Sequence, residues 1–243
     1  MIDTVLFDLD GTLLSMDMER FMHSYFEAIS KSFGKFAEPK ALIKNIMGAT
    51  EYMVCNTDGN KTNQRAFEEE FKRLMDCDIV PLMERFEEFY QTDFKDLKNI
   101  IYHQPICGKV VEILKDKGYE MVLATNPLFP RIAIEERVRW AGIDAKYFKT
   151  ITSFEEMHYC KPRIEYYGEI MEIINKKPEN CLMVGNDAEE DMVAHKLGMK
   201  TFLVDTHLIK RGDKLPPVDY IGGYRDLYNF VLKDLPVLEE KAV

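Results

Sequence analysis

The chain has 243 residues, of which 46% are hydrophobic and 30% are charged, as is usual for a globular protein that buries a sizeable core. Its formal net charge of -10 argues against a nucleic-acid backbone or an anionic membrane surface as the main partner, because either would repel it. We therefore expect neither nucleic acid nor membrane as a partner. The net charge does not exclude a local basic pocket that binds a small anion.

The cysteines and the apolar stretches of the sequence indicate a cytoplasmic protein. The five cysteines are an odd number and include no C-x-x-C pair, so we expect neither a disulfide framework nor a zinc site. The first residues enter a strand directly, without the basic and apolar regions of a signal peptide. No uncharged apolar stretch of about 18 residues is present that could span a bilayer.

The first predicted element is an apolar strand, Thr4 to Leu9, which runs into Asp8, Asp10 and Gly11. Side chains at positions i and i+2 of a strand point to the same face, so the two aspartates are expected to share the strand's carboxyl end. Like charges so close together are unfavourable unless a cation or protons neutralise them. A turn cap would explain one aspartate but not two, so we interpret this segment as functional.

Residues 15–99 are predicted to be entirely helical. Apolar side chains recur there at helical spacing, and we interpret these aromatic and methionine stripes as helix-packing core and not as a cofactor site. The stripes are Phe21, Tyr25, Phe26 and Ile29, then Phe67, Phe71, Leu74 and Met75, then Leu82, Phe86, Phe89 and Tyr90. The stretch is too long for a loop. We therefore predict a small all-helical cap domain over residues 15–99, inserted into a core domain of residues 1–14 and 100–243.

After residue 100, predicted helices alternate with short β-rich runs. The helices are Ile106 to Lys117, Pro130 to Ala141, Arg163 to Asn175, Ala188 to Leu197 and Tyr224 to Leu232. The strands are Tyr119 to Thr125, Lys149 to Ser153, Cys181 to Gly185 and Lys200 to Val204, and a late loop is predicted around Pro216-Pro217 and Gly222-Gly223. This alternation predicts an α/β fold, with a Rossmann-like, mostly parallel sheet that has helices on both faces. Such sheets bind ligands at the carboxyl ends of their strands, where Asp8, Thr125 and Asp187 all fall.

Four short motifs follow one another along the chain. They are Asp8-Leu9-Asp10-Gly11-Thr12, Ala124-Thr125-Asn126-Pro127, Lys161-Pro162, and Gly185-Asn186-Asp187 with Asp191 four residues later. In this order and on these elements, they resemble the motifs of the haloacid dehalogenase-like (HAD) hydrolase superfamily. The resemblance covers the predicted core and implies a magnesium-dependent phosphatase with a helical cap after the first strand.

The resemblance implies a role for each matched residue. Asp8 would be the nucleophile that forms an aspartyl-phosphate, which divides one difficult displacement into two easier ones. Asp10 would protonate the leaving alkoxide and later take a proton from the attacking water. Thr125, assisted by Asn126, would bind phosphoryl oxygens, and Lys161 would neutralise the charge that gathers between Asp8 and the phosphoryl group.

Magnesium prefers an octahedral shell of oxygen ligands. The resemblance implies the Asp8 carboxylate, the Asp10 backbone carbonyl and the segment from Asn186 to Asp191 as its protein ligands. The sequence departs here from the commonest family pattern, in which an acid directly follows the glycine. Either Asp187 binds the ion directly, or Asn186 contributes a neutral oxygen while Asp187 and Asp191 act around it. We favour Asp187 as the direct ligand, with Asn186 or Asp191 nearby, and capping of the following helix is the alternative role for Asp187.

Other polar residues carry less information. The five histidines lack the spacing of a metal site, and Glu189 and Glu190 are expected to be solvated charges in the first turn of a helix. Arg20 and Lys31 could reach a substrate, but nothing distinguishes them from surface residues.

The sequence therefore predicts a phosphatase for a small phosphorylated metabolite. A phosphomutase or phosphotransferase, a dehalogenase and a non-catalytic binding module are the alternatives. Asp10 counts against the dehalogenase, because a halide leaving group needs no acid. Oligomeric state stays open.

Overall fold

The computed structural model describes residues 1–238, which contain a six-stranded parallel sheet. The strands are β1 (Thr4–Phe7), β2 (Glu120–Leu123), β3 (Thr150–Ile151), β4 (Cys181–Gly185), β5 (Lys200–Val204) and β6 (Tyr220–Gly222). Their order across the sheet is β3-β2-β1-β4-β5-β6, and every neighbouring pair is parallel. The predicted α/β fold is therefore confirmed.

Strand β1 lies in the middle of the sheet, and all four of its residues are buried. A strand covered on both faces is expected to be a nearly continuous apolar run, as this one is. Phe7, its last residue, pairs with Leu123 of β2 and with Val184 of β4. Because these strands end level with one another, the residues that follow them meet at one edge of the sheet.

The other elements of the described residues are helices. Between β1 and β2 lie α1 (Met18–Phe33), α2 (Pro39–Cys55), α3 (Asn63–Met75) and α4 (Val80–Gln91), followed by a 3₁₀ helix over Asp93–Ile100. After them come α5 (Pro105–Asp116), α6 (Arg131–Trp140), α7 (Ile164–Ile174) and α8 (Tyr224–Lys233). We call residues 18–100 the helical segment. Among residues 1–238, no helix combines the length and the apolar character needed to cross a bilayer.

Two predicted elements were wrong. The chain from Ala188 forms a turn and then a 3₁₀ helix over Met192–Leu197, where an α-helix had been predicted. Asp187 caps the first turn through the amides of Glu189 and Glu190, but Asp191 is held by Lys161 and by the Asp187 amide. The bonds that follow close over three residues, as from the Ala194 amide to the Asp191 carbonyl. The second error is β6, which forms inside the predicted late loop; it is three residues long, too short to give a periodic signal.

An aromatic cluster joins the helical segment to the sheet-bearing part of the chain. Phe94 stacks on Trp140 with ring centroids 5.2 Å apart, and Tyr25 packs edge-on against Phe129 at 5.5 Å. Tyr25, Phe94 and Trp140 belong to one buried cluster that also contains Val5 of the sheet, and Phe129 packs against this cluster. The division into a core domain and a cap domain therefore stays a prediction, because the two parts share apolar packing.

Candidate active site

A cavity of about 1130 Å³ lies between the carboxyl edge of the sheet and the helical segment. Seven of the eight residues singled out from the sequence line it: Asp8, Asp10, Thr125, Asn126, Asn186, Asp187 and Asp191. The eighth, Lys161, lies immediately behind them in contact with Asp8. Residues more than 180 positions apart in the sequence are thus brought to one place by the strand order.

Lys161 is the buried cation between the carboxylates that line the cavity at the sheet edge. Its side chain is only 1% exposed, and its Nζ lies 2.9 Å from Asp8 Oδ1 and 2.6 Å from Asp191 Oδ1. Its backbone amide donates to Asn126 Oδ1, which fixes the residue to the loop after β2. Burial by itself would lower the pKa of Lys161, but Asp191 and Asp8 together raise it well above its ordinary value. The ammonium is therefore held in its charged form.

Burial also acts on the carboxylates of the cavity. It raises the pKa of Asp191 to about 7, against the opposing effect of Lys161. It raises the pKa of Asp10 as well, and the nearby charge of Asp8 adds to that increase. A carboxyl group with a raised pKa holds a proton to higher pH, which suits a group that must donate one.

Thr12 connects the first motif to the fourth. Its buried hydroxyl lies 3.3 Å from Asp8 Oδ2 and 3.0 Å from Asn186 Oδ1, so two oxygen atoms from different motifs converge on it. Gly11, with φ of +85°, permits this approach, because a Cβ there would collide with the Asn186 amide. The Asn186 amide nitrogen donates to the His207 carbonyl at 2.7 Å, which orients its oxygen towards Thr12.

Asp187 is engaged by its own turn. Its Oδ1 accepts hydrogen bonds from the amides of Glu189 and Glu190, at 3.0 and 2.8 Å. Both of its carboxylate oxygens also lie within 2.9 Å of Nη1 of Arg211. These contacts give Asp187 the capping role that the sequence left open, and they count against it as a direct metal ligand.

Glu189 and Glu190 were expected to be solvated, and that expectation was wrong. Glu189 Oε1 accepts from the amides of Arg211 and Gly212. Glu190 is half-buried and accepts a hydrogen bond from the Asn126 side chain at 3.0 Å. The reason is the turn that replaces the predicted helix, since it directs both side chains towards neighbouring loops.

Arg137 is the main functional candidate that sequence reasoning missed. It lies on α6, is 1% exposed, lines the cavity and forms an ion pair with Asp10 Oδ2. The other oxygen of Asp10 and Nη2 of Arg137 are buried without a hydrogen-bond partner. A signal was available, because Arg137 follows Ile134 at the helical spacing of the apolar face, where a charge is unexpected.

Thr125 and Asn126 occupy the loop that follows β2. Thr125 is 3% exposed, and its carbonyl accepts from the hydroxyls of Thr152 and Tyr166, at 2.7 and 2.8 Å. These bonds fix the backbone so that Thr125 stays at the cavity wall. Arg20 is exposed, does not line the cavity and donates its backbone amide to the helix cap Asp17, while Lys31 pairs with Glu27 on the surface.

The donor set fits a hard divalent cation. Within residues 1–238, no three His, Cys, Asp or Glu side chains gather as a metal cluster. Amide and backbone carbonyl oxygens, however, are equally suitable for magnesium. Asp8 and Asn186 present converging oxygens, and Asp10 has a buried carboxylate oxygen without a partner. At the sheet edge the cations Arg137, Lys161 and Arg211 are outnumbered by five carboxylates of the cavity lining, so negative charge is in excess there. These carboxylates are Asp8, Asp10, Asp187, Glu190 and Asp191.

Comparisons with known proteins agree on the family. Residues 5–204 match the family model described as haloacid dehalogenase-like hydrolase. The pyrophosphatase PpaX of Bacillus mycoides (strain KBAB4) is 24% identical over 242 aligned positions, which cover 91% of this chain and 99% of that protein.

Solved structures show the same fold. An HAD phosphatase from Thermococcus onnurineus superimposes with a TM-score of 0.62 and 20% identity, covering 97% of this chain and all of the other. The L-2-haloacid dehalogenase of Xanthobacter autotrophicus gives a TM-score of 0.58 and 14% identity, with the same coverage. Since both phosphatases and dehalogenases share the fold, the chemistry must be argued from the site.

Proposed function

Because the chain belongs to the haloacid dehalogenase-like hydrolase family, we propose that it is a magnesium-dependent phosphatase that works through an aspartyl-phosphate. The supporting observation is the position of Lys161, whose buried ammonium contacts Asp8 at the end of β1 and Asp191 after β4. A carboxylate can approach a phosphate dianion only where positive charge offsets their repulsion. Lys161 supplies part of that charge directly beside the proposed nucleophile.

In the first half-reaction, an oxygen of Asp8 attacks phosphorus while the bond from phosphorus to the ester oxygen breaks. The leaving alkoxide takes a proton from the carboxyl group of Asp10, so a neutral alcohol departs. In the second half-reaction, water attacks the phosphoryl group, its proton returns to Asp10, and Asp8 is freed as a carboxylate. Thr125 and Asn126 are proposed to bind phosphoryl oxygens from the loop after β2.

Magnesium, when bound, would neutralise phosphoryl charge and orient the phosphate for in-line attack. We propose that the Asp8 carboxylate, the Asp10 backbone carbonyl and the Asn186 amide oxygen hold it. Asp187 was favoured from the sequence, but its carboxylate is occupied by two amides and Arg211. Asp191 is similarly engaged, by Lys161 and the Asp187 amide.

The proposed substrate is a small phosphorylated compound. The relative PpaX is named as a pyrophosphatase, which is consistent with phosphoryl transfer to water. Asp10 favours an oxygen leaving group over a halide, since its proton is useful only where an alkoxide or phosphate departs. This residue therefore supports hydrolysis of a phosphate bond and counts against dehalogenation.

Phosphate release from a chromogenic phosphate ester with Mg²⁺ tests the proposal. Wild-type protein is expected to turn over, and Asp8→Asn is expected to lose activity because its amide is a poor nucleophile. Asp144→Asn is the matched control, since Asp144 caps a short 3₁₀ helix at the surface. Equal turnover by wild type and Asp8→Asn would reject the nucleophile. Transfer of phosphate to an added alcohol, instead of to water, would indicate a phosphotransferase.

A further inference from the structure

The cavity has two chemically different ends. The carboxylates lie at the sheet edge, whereas the wall contributed by the helical segment is formed largely by aromatic, methionine and aliphatic side chains, among them Phe21, Met22, Phe26, Met83 and Phe86. The charged side chains that this segment adds to the lining are Lys40, Lys44 and Glu51, all exposed on α2. The interior beyond the carboxylates is thus apolar, and charge appears again only at the solvent-facing rim.

The polar atoms of the inner wall satisfy one another. Tyr25 and Tyr90 line the cavity, and their hydroxyls form a hydrogen bond of 2.7 Å. Burial raises the pKa of Tyr25 to about 12, so the pair stays uncharged near neutral pH. These hydroxyls therefore do not require a charged ligand beside them.

The size of the cavity exceeds what a small anion needs. Its volume of about 1130 Å³ lies slightly above the range of pockets for drug-sized ligands, which is roughly 300–1,000 Å³. A second phosphate as leaving group would fill little of this space and would place charge against an apolar wall. That arrangement is unfavourable, because a charged group loses hydration there without gaining partners.

We propose that the substrate is the monophosphate ester of a bulky apolar alcohol, with the hydrocarbon part seated against the inner wall of the helical segment. This inference rests on the proposed phosphatase function and deepens it by assigning the leaving group. The phosphoryl group would lie at Asp8, and the ester oxygen would face Asp10. Met22 of α1 and Met83 of α4 are half-buried side chains of the wall, and their flexible thioethers can adapt to hydrocarbon.

The test is a homologous series of n-alkyl monophosphates, from ethyl to octyl, assayed with Mg²⁺ by phosphate release. Alkyl chain length changes apolar area while leaving the acidity of the departing alcohol nearly constant. We expect kcat/KM to rise by up to about fourfold per methylene, the value for burying one CH₂ group. A flat or falling series, or pyrophosphate cleaved with a higher kcat/KM than octyl phosphate, would overturn the inference while leaving the phosphatase function in place.

Binding of alkylphosphonates, which cannot be hydrolysed at the carbon–phosphorus bond, separates this inference from the catalytic proposal. Calorimetry with Mg²⁺ is expected to show octylphosphonate binding more tightly than ethylphosphonate. If no ester is hydrolysed, the proposed function fails, and this comparison still decides the assignment of the apolar wall. Equal affinity for the two phosphonates would overturn it.

Near-isosteric variants localise the effect. Met22→Gln and Met83→Gln should each lower the octyl-to-ethyl ratio of kcat/KM by about threefold or more, because they place an amide in the wall. Met75→Gln is the matched control: Met75 is also half-buried in the helical segment but lies outside the cavity lining. A loss in the control equal to that in Met22→Gln and Met83→Gln would contradict the assignment.

Discussion

Lys161 illustrates how one buried cation can determine both stability and activity. Replacing it by Met would leave Asp8 and Asp191 without their shared counter-charge. Removing one partner of a buried ion pair typically costs about 3–5 kcal/mol of unfolding free energy. We expect Lys161→Met to lose stability on this scale in urea unfolding and to lose phosphate release.

The unfolding free energy lost in Lys161→Met is expected to depend on pH. Burial already raises the pKa of Asp191 to about 7, and removal of Lys161 raises it further. The carboxyl group of the variant takes a proton below its own, higher pKa and then stops being a buried charge. The destabilisation by Lys161→Met should therefore shrink as the pH falls towards about 7. The double variant Lys161→Met/Asp191→Asn should recover stability but not activity. A penalty that is independent of pH would contradict this account.

Arg137 is expected to act on catalysis through Asp10. Burial raises the pKa of Asp10, and the guanidinium of Arg137 partly opposes that increase. In Arg137→Met the pKa of Asp10 should rise further, so the carboxyl group keeps its proton to higher pH. kcat/KM reports the first half-reaction, in which Asp10 donates its proton. The fall of kcat/KM at alkaline pH should therefore shift to higher pH.

The matched control for this experiment is Arg139→Met. Arg139 lies on the same helix, but it is exposed and pairs with Glu136 at the surface. Its replacement should leave the pH profile unchanged. If Arg137→Met lowers kcat/KM without moving the alkaline limb, Arg137 positions Asp10 without tuning its proton affinity.

The candidate site could be predicted only where local spacing or a matched motif carried the signal. Asp8 directly follows β1 and Thr125 comes two residues after β2, so the strand pattern alone indicates where they lie. Arg137 and Arg211 approach the site from a helix and a late loop, through contacts that no short motif encodes. Their roles depend on tertiary packing, which one sequence without homologues does not reveal.

The conformation of the turn after β4 also depends on tertiary contacts that the sequence does not reveal. Its residues have helical composition, and a helix was predicted there. In the structure, Asp187 caps the first turn as predicted for a helix start, but Asp191 is bound by Lys161 and the Asp187 amide, and the chain continues as a turn and a 3₁₀ helix. By contrast, β4 and β5 have the predicted bounds, because their apolar runs end sharply at polar residues or glycine.

This turn also allows the two candidate metal ligands to be separated. Asn186→Ala removes the oxygen that converges with Asp8 on Thr12, so Mg²⁺ affinity should fall by about tenfold or more. Asp187→Asn keeps an oxygen that can cap the turn. Its Mg²⁺ affinity should therefore stay within about threefold of the wild-type value, a smaller loss than that of Asn186→Ala. Isothermal titration with Mg²⁺ measures both without relying on turnover. The reverse ranking would restore Asp187 as the ligand.

At the scale of the whole molecule, the connection between the helical segment and the sheet determines whether the two parts unfold together or separately. Two stretches of chain connect these parts, and they lie side by side, because the Tyr102 amide donates a hydrogen bond to the Ser15 carbonyl. A narrow crossing favours independent domains, whereas the shared aromatic cluster favours a single unit. The composition of the helices predicts each part, but not how strongly the two are coupled.

Trp140 can report on that coupling, because it is the only tryptophan in the chain and it stacks on Phe94 of the helical segment. We expect its fluorescence and the far-ultraviolet circular dichroism to change together in one urea transition, since separating the two parts would expose the aromatic cluster to water. Phe94→Ala should lower the unfolding free energy by about 3–5 kcal/mol, as is typical of a buried phenylalanine. Phe36→Ala is the matched control, because Phe36 is half exposed and its ring contacts Phe33 and not Trp140 among the described residues. A fluorescence change that precedes the loss of helix would instead indicate a cap domain that separates before the core unfolds.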